Sequence, residues 1–144
     1  MPKTLALCLV LAGGAAVAKE GVTNPVVKER MDLMQTIRAN TGVLGEMAQG
    51  NRAFDADAAA TARANLAAAA AQIPAKFEPQ ETDPVTDALP GIWENFPDFT
   101  TKAEALATAA EGLDTASLDS LRAGMGAVGG ACRECHTVYR KPQS

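Results

Sequence analysis

The sequence predicts an all-α protein, an antiparallel up-and-down four-helix bundle. Three observations point there. Four stretches repeat apolar residues at helical spacing, caps and breakers separate them, and no stretch alternates apolar and polar residues for long, as a half-buried strand does. The 144 residues suffice for one domain.

The first helix is expected from about Asn24 to Gln49. Asn24 followed by Pro25 makes an N-cap and first turn. Val27, Met34, Ile37, Thr41, Leu44 and Ala48 recur at helical spacing, and Gly50-Asn51 ends the run. The second helix runs from about Asp55, a capping residue, to Ile73, with Pro74 as its stop. Its alanine-rich interior has high helix propensity, and Ala62, Leu66, Ala69 and Ile73 share one face. Residues 74 to 90 contain four prolines and read as the one long connection, with the Phe77 ring tucked against the bundle. The third helix spans about Leu89 to Glu111, striped by Ile92, Phe96, Phe99, Ala103, Leu106 and Ala110. Pro97 bends it or delays its regular start. The fourth runs from about Ser117 to Arg140, capped by Thr115 or Ser117 and stopped before Pro142. Its stripe is Leu118, Leu121, Met125, Val128, Cys132, Cys135 and Tyr139.

Composition adds a constraint. Apolar residues make up 47% of the chain, but much of that is alanine, and aromatics are only 4%. Alanine buries little area, so the core is thin unless something bulky, such as a prosthetic group, helps to fill it. The formal charge is −4, and no basic cluster exists to displace counterions from nucleic-acid phosphates.

Residues 1–18 read as a cleaved signal peptide. Lys3 gives the positive start, Leu5 to Leu11 the apolar centre, and Ala16 to Ala18 the small residues before cleavage. The segment is too short to span a bilayer, and no other segment of the sequence is suited to cross one. The expected mature domain is residues 19–144, exported to the periplasm. It keeps 12 basic residues (13 less Lys3) against 17 acidic ones, a charge of −5. Loss of the leader also removes Cys8, leaving Cys132 and Cys135.

Those two cysteines stand in "CRECH", followed at once by His136, the chain's only histidine. C-x-x-C-H is the attachment signature of a c-type haem. On a helix, residues three and four apart share a face, so Cys132 and Cys135 can each form a thioether to one porphyrin. His136 lies four after Cys132 and can bind the iron as proximal ligand. A zinc site needs four ligands, and the mature chain has no further Cys or His to supply them. A thioredoxin-like pair expects a strand–helix–strand context. A structural disulfide leaves the adjacent histidine without a reason. One covalent haem c is therefore the expected cofactor. No enzymatic machinery is visible: there is no second histidine, and no paired carboxylates stand at a catalytic spacing.

A C-terminal "CRECHTVYR" on the last helix of an all-helical chain resembles the class II cytochromes c, the cytochrome c prime family. "VVKERMDLM", "GNRAFDA" and "ALPGIWENFPDF" agree, and the likeness covers nearly all of residues 22 to 141. Pro97 departs from the usual pattern. The resemblance implies an electron carrier or a gas binder. It implies that Arg140 sits beside the proximal imidazole, Arg30 reaches a haem propionate, Trp93 packs near the haem edge and Tyr139 packs in the core. It also places Met34, one turn after Arg30, at the open side of the iron. If Met34 ligates, the iron is six-coordinate and low-spin and suited to electron transfer. If Met34 only packs there, the iron is five-coordinate and high-spin and admits small gases such as nitric oxide. "RMDLMQTI" with "GIWENF" resembles the low-spin branch. Redox partner proteins are expected, and relatives of this kind form homodimers through their first two helices, which the alanine-rich face here allows. Gly124, Gly126, Gly129 and Gly130 each cost the fourth helix roughly 1 kcal/mol against alanine. That cost implies close approach of another helix or of the porphyrin, or a segment ordered only by the cofactor.

Overall fold

The structure is a computed structural model that describes residues 21–142; the signal peptide read at residues 1–18 lies outside them. Among the described residues six helices follow in order: α1 Pro25–Gln49, α2 Ala56–Ala70, α3 Ile73–Phe77, α4 Gly91–Glu94, α5 Phe96–Glu111 and α6 Leu118–Tyr139. The four long ones form a closed ring of neighbours, α1 against α2, α2 against α5, α5 against α6, and α6 back against α1. This is the four-helix bundle. Among the described residues the only strand-like pairing is an isolated antiparallel bridge between Ala88 and Arg140.

The caps explain where the helices begin. The Asn24 side chain accepts from the amides of Val26 and Val27, and Asp55 accepts from Ala58. Ser117 and Ser120 form a reciprocal capping box that starts α6. Gly50 ends α1 in the left-handed conformation, φ 79°, with its N–H bonded back to Glu46 and Met47 carbonyls.

Two boundaries differ from the sequence reading. The second helix stops at Ala70, and Pro74 lies in the first turn of the separate short helix α3, where its missing N–H has no intrahelical partner to lose. The third segment is two helices. Asn95 leaves helical geometry (φ −137°, ψ 55°), and α5 restarts with Pro97 in its first turn. Pro97 thus delays the regular helix.

The core holds Leu33, Ile37, Leu44 and Met47 of α1, Leu66 and its alanines of α2, Phe99 and Leu106 of α5, and Leu121 and Val128 of α6. Helix α2 packs against α1 and α5 and buries Ala59, Ala62, Ala69 and Ala70, small side chains of the kind that let helices approach closely. Phe77 is buried, with its ring 5.1 Å from that of Phe99. Of the four glycines of α6, only Gly124 is closely approached by another part of the protein. A Cβ at Gly124 would stand 2.5 Å from Leu113 Cδ1, whereas at Gly126, Gly129 and Gly130 it would meet nothing within 4 Å.

Candidate haem site

A cavity of about 890 Å³ opens between α1, α5 and α6, closed at one end by α3 and the segment 86–88; α2 contributes nothing to it. Its size falls in the range of cofactor pockets. The walls follow from helical periodicity. On α1, residues 27, 30, 31, 34, 38, 41, 42 and 45 face the cavity, while Leu33, Leu44 and Met47 face the core. On α6, Cys132, Cys135, His136, Tyr139 and Arg140 line it together. All six residues singled out from the sequence, Arg30, Met34, Cys132, Cys135, His136 and Arg140, thus line one cavity.

The thiols of Cys132 and Cys135 are free and half-buried. Burial pushes both up, Cys135 to about 11, so they stay protonated at neutral pH. Neutral thiols are poor nucleophiles, which does not suit a dithiol redox pair. His136 is held below its ordinary value by burial and by the nearby Arg140 cation. A neutral imidazole keeps a lone pair for a metal. The end of α6 is stapled to the long connection: Leu89 N–H donates to Tyr139 O at 3.0 Å, Lys141 N–H donates to Asp87 O at 2.8 Å, and the Arg140 guanidinium lies 3.8 Å from the Asp87 carboxylate. Arg140 is thereby fixed beside His136.

Arg30 is 3% exposed. Its Nε donates to Lys76 O at 2.9 Å, and its two Nη atoms donate to Glu81 O at 2.9 Å and to Pro79 O. Burial lowers its pKa, but a guanidinium stays charged. Three of its five N–H donors are engaged, so two remain for a carboxylate in the cavity. Trp93 does not line the cavity. Its ring stacks on Arg30, and its indole N–H donates to Phe77 O at 2.8 Å. Tyr139 packs as expected, edge-on to Phe99 at 5.4 Å, and donates to Asp98 Oδ2 at 2.5 Å.

Several cavity residues were missed in the sequence. Met31 and Met125 add two thioethers to that of Met34; the sequence marks Met125 only as a member of the α6 stripe, and Met31 carries no signal of its own. Lys102 and Arg38 add cations. Four cations, Arg30, Arg38, Lys102 and Arg140, line the cavity against two acids, Glu46 and Asp87, in a chain that is acidic overall. Thr41 Oγ1 is buried on the same wall without a hydrogen-bond partner. Thiols and an imidazole on one helix, soft sulfurs on another, apolar side chains between and excess positive charge fit a dianionic porphyrin.

The family model for Cytochrome C' matches residues 25–140. The chain belongs to this family. It is 38% identical to cytochrome c-556 of Agrobacterium tumefaciens (strain apple 185) over 117 residues, 77% of this chain and 90% of that protein. Its fold matches a cytochrome c prime structure from Rhodobacter spheriodes with TM-score 0.76 at 28% identity, covering 82% of this chain and 96% of that one. It also matches a variant of cytochrome c prime from Alcaligenes xylosoxidans, solved as its nitric oxide complex, with TM-score 0.72 at 30% identity, covering 81% and 94%. The protein is a class II cytochrome c that binds haem c covalently, in a family whose members carry electrons or bind gases.

Proposed function

We propose that this cytochrome carries single electrons in the bacterial periplasm, with haem joined to Cys132 and Cys135, His136 as proximal ligand and Met34 as sixth ligand. The observation that carries the reading is the placement of Met34 on α1 and His136 on α6 in the walls of one cavity. The likeness to a cytochrome c-556 supports the low-spin branch.

When bound, the haem supplies an iron that takes up and releases one electron. The chain does the rest. Cys132 and Cys135 would hold the ring on α6. Burial and the Arg140 cation disfavour the charged form of the His136 imidazole, which favours ligation. The soft sulfur of Met34 would favour the reduced iron and raise the potential. Ile37, Phe77, Ile92, Phe99 and Leu106 exclude water, which limits solvent reorganisation. The two remaining N–H donors of Arg30 would hold a propionate. Export rests on the leader read at residues 1–18, with residues 19–144 as the mature domain. Among the described residues no helix is long and apolar enough to cross a membrane.

Replacing Met34 by Ala tests the ligation. The expected result is loss of the far-red sulfur-to-iron band and a lower reduction potential, with haem still covalently attached. A band that survives in Met34→Ala and disappears in Met31→Ala would assign the ligand to Met31. A wild-type protein with no such band that binds nitric oxide would instead be a five-coordinate gas binder; a similar protein has been solved as a nitric oxide complex.

A further inference from the structure

The connection between α3 and α4 has little regular structure of its own. It carries Pro79, Pro84 and Pro90, so its carbonyls lack the ladder that a helix or strand supplies. Yet Phe77, Thr86, Asp87 and Ala88 wall one end of the haem cavity. Something must hold this segment in place.

Arg30 meets that need with its whole side chain. Three carbonyls, of Lys76, Pro79 and Glu81, converge on one guanidinium from residues 46 to 51 positions away in the chain. The cation also packs against two rings, 5.0 Å from the Phe77 centroid and 5.3 Å from that of Trp93. Trp93 closes the assembly by donating to Phe77 O. Further along, Asp83 accepts from the Thr23, Asn24 and Val85 amides and from the Thr23 hydroxyl, and residues 87–89 pair with residues 139–141.

We propose that Arg30 is a latch: its guanidinium pins the turn 76–81 across one end of the cavity and so fixes the wall against which the haem sits. This role goes beyond a contact to a propionate and holds whichever group takes the sixth position on iron. It depends on the planar fork of donors, not on charge alone. A lysine ammonium is a compact point charge and does not reproduce three donors spread in one plane between two rings. Arg30 is in this sense a positioning residue. Its fixed charge also has little freedom to reorient when the iron changes oxidation state.

The test uses the haem-loaded protein. In the wild type, the Arg30 Nε–H should exchange with solvent at least on the order of 100-fold more slowly than in free arginine, as for a buried, bonded donor. Arg30→Lys and Arg30→Gln should both speed amide exchange at Val85, Thr86 and Leu89, on the order of tenfold or more, while the Leu66 amide on α2 stays unchanged. Both should shift the reduction potential in the same direction, although lysine keeps the charge. Trp93→Phe, which removes one bond of the assembly, should give a smaller loosening at the same amides. Wild-type protection and potential in Arg30→Lys would overturn the latch and leave Arg30 as a charge facing the cavity. Solvent-like exchange of the wild-type Nε–H would overturn it without any variant, and so decides the matter even if the substitutions prevent folding.

Discussion

Gly126 and Gly129 stand in the middle of α6, exposed, and neither lines the haem cavity. Both have ordinary negative φ, since the only glycines at positive φ among the described residues are Gly21 and Gly50. A Cβ at either would meet no atom within 4 Å. Replacing each by alanine therefore removes unfolded-chain entropy without a steric cost, a gain of about 0.4–1 kcal/mol per site. Methyl groups three apart on a helix touch little, so the double variant should gain about 0.8–2 kcal/mol. For a domain of this size that is a rise of several degrees in Tm, roughly 3–5 °C per kcal/mol. Gly124→Ala is the internal control. Its Cβ would stand 2.5 Å from Leu113 Cδ1, so that side chain must move and the stabilisation should vanish or reverse. Thermal melts of the haem-loaded protein, followed by far-UV circular dichroism, read all three. Destabilisation by Gly126→Ala and Gly129→Ala would refute the reasoning, because it would mean that another surface packs against that face of α6.

The single tyrosine of the chain makes a second test clean. The bond from Tyr139 to the Asp98 carboxylate pushes its phenol up to about 12, so phenolate absorbance should not develop until about two pH units above the ordinary value of 10. Asp83 gives a prediction at the acid end. Hydrogen bonds from the amides of Asn24, Val85 and Thr23 lower it from 3.8 to about 2. Because the folded value lies below the unfolded one, its contribution is fully present above about pH 4 and is lost as pH falls towards 2. Denaturant titrations between those limits should show a steeper loss of stability in the wild type than in Asp83→Asn. Leu66 is fully buried on α2, which does not touch the cavity. Leu66→Ala should cost about 2–5 kcal/mol while leaving the haem spectrum unchanged.

The parts of the fold legible in the sequence are those set by local chemistry. Asn24, Asp55 and Ser117 announce helix starts because their side chains satisfy amides two or three residues on. The CRECH motif places two thiols and an imidazole on one helical wall by spacing alone. Proline is more ambiguous. Pro74 and Pro97 read as a stop and a disturbance, yet both sit in first turns, where a helix accepts them without loss. The α1 stripe mixed two faces. Leu44 belongs to the core, Met34 and Thr41 line the cavity, and Ile37 does both, because the helix serves two neighbours at once. The partners of Arg30 were hidden for a different reason. They are backbone carbonyls of a distant loop, and nothing in the residue types of Lys76, Pro79 and Glu81 marks them as acceptors for an arginine.

The central claim, that Met34 completes the coordination of an iron already held by His136, is tested most directly by the electron paramagnetic resonance spectrum of the oxidised protein. A low-spin signal in the wild type that becomes high-spin in Met34→Ala is the predicted result. A high-spin signal already present in the wild type, unchanged by Met34→Ala, would contradict it.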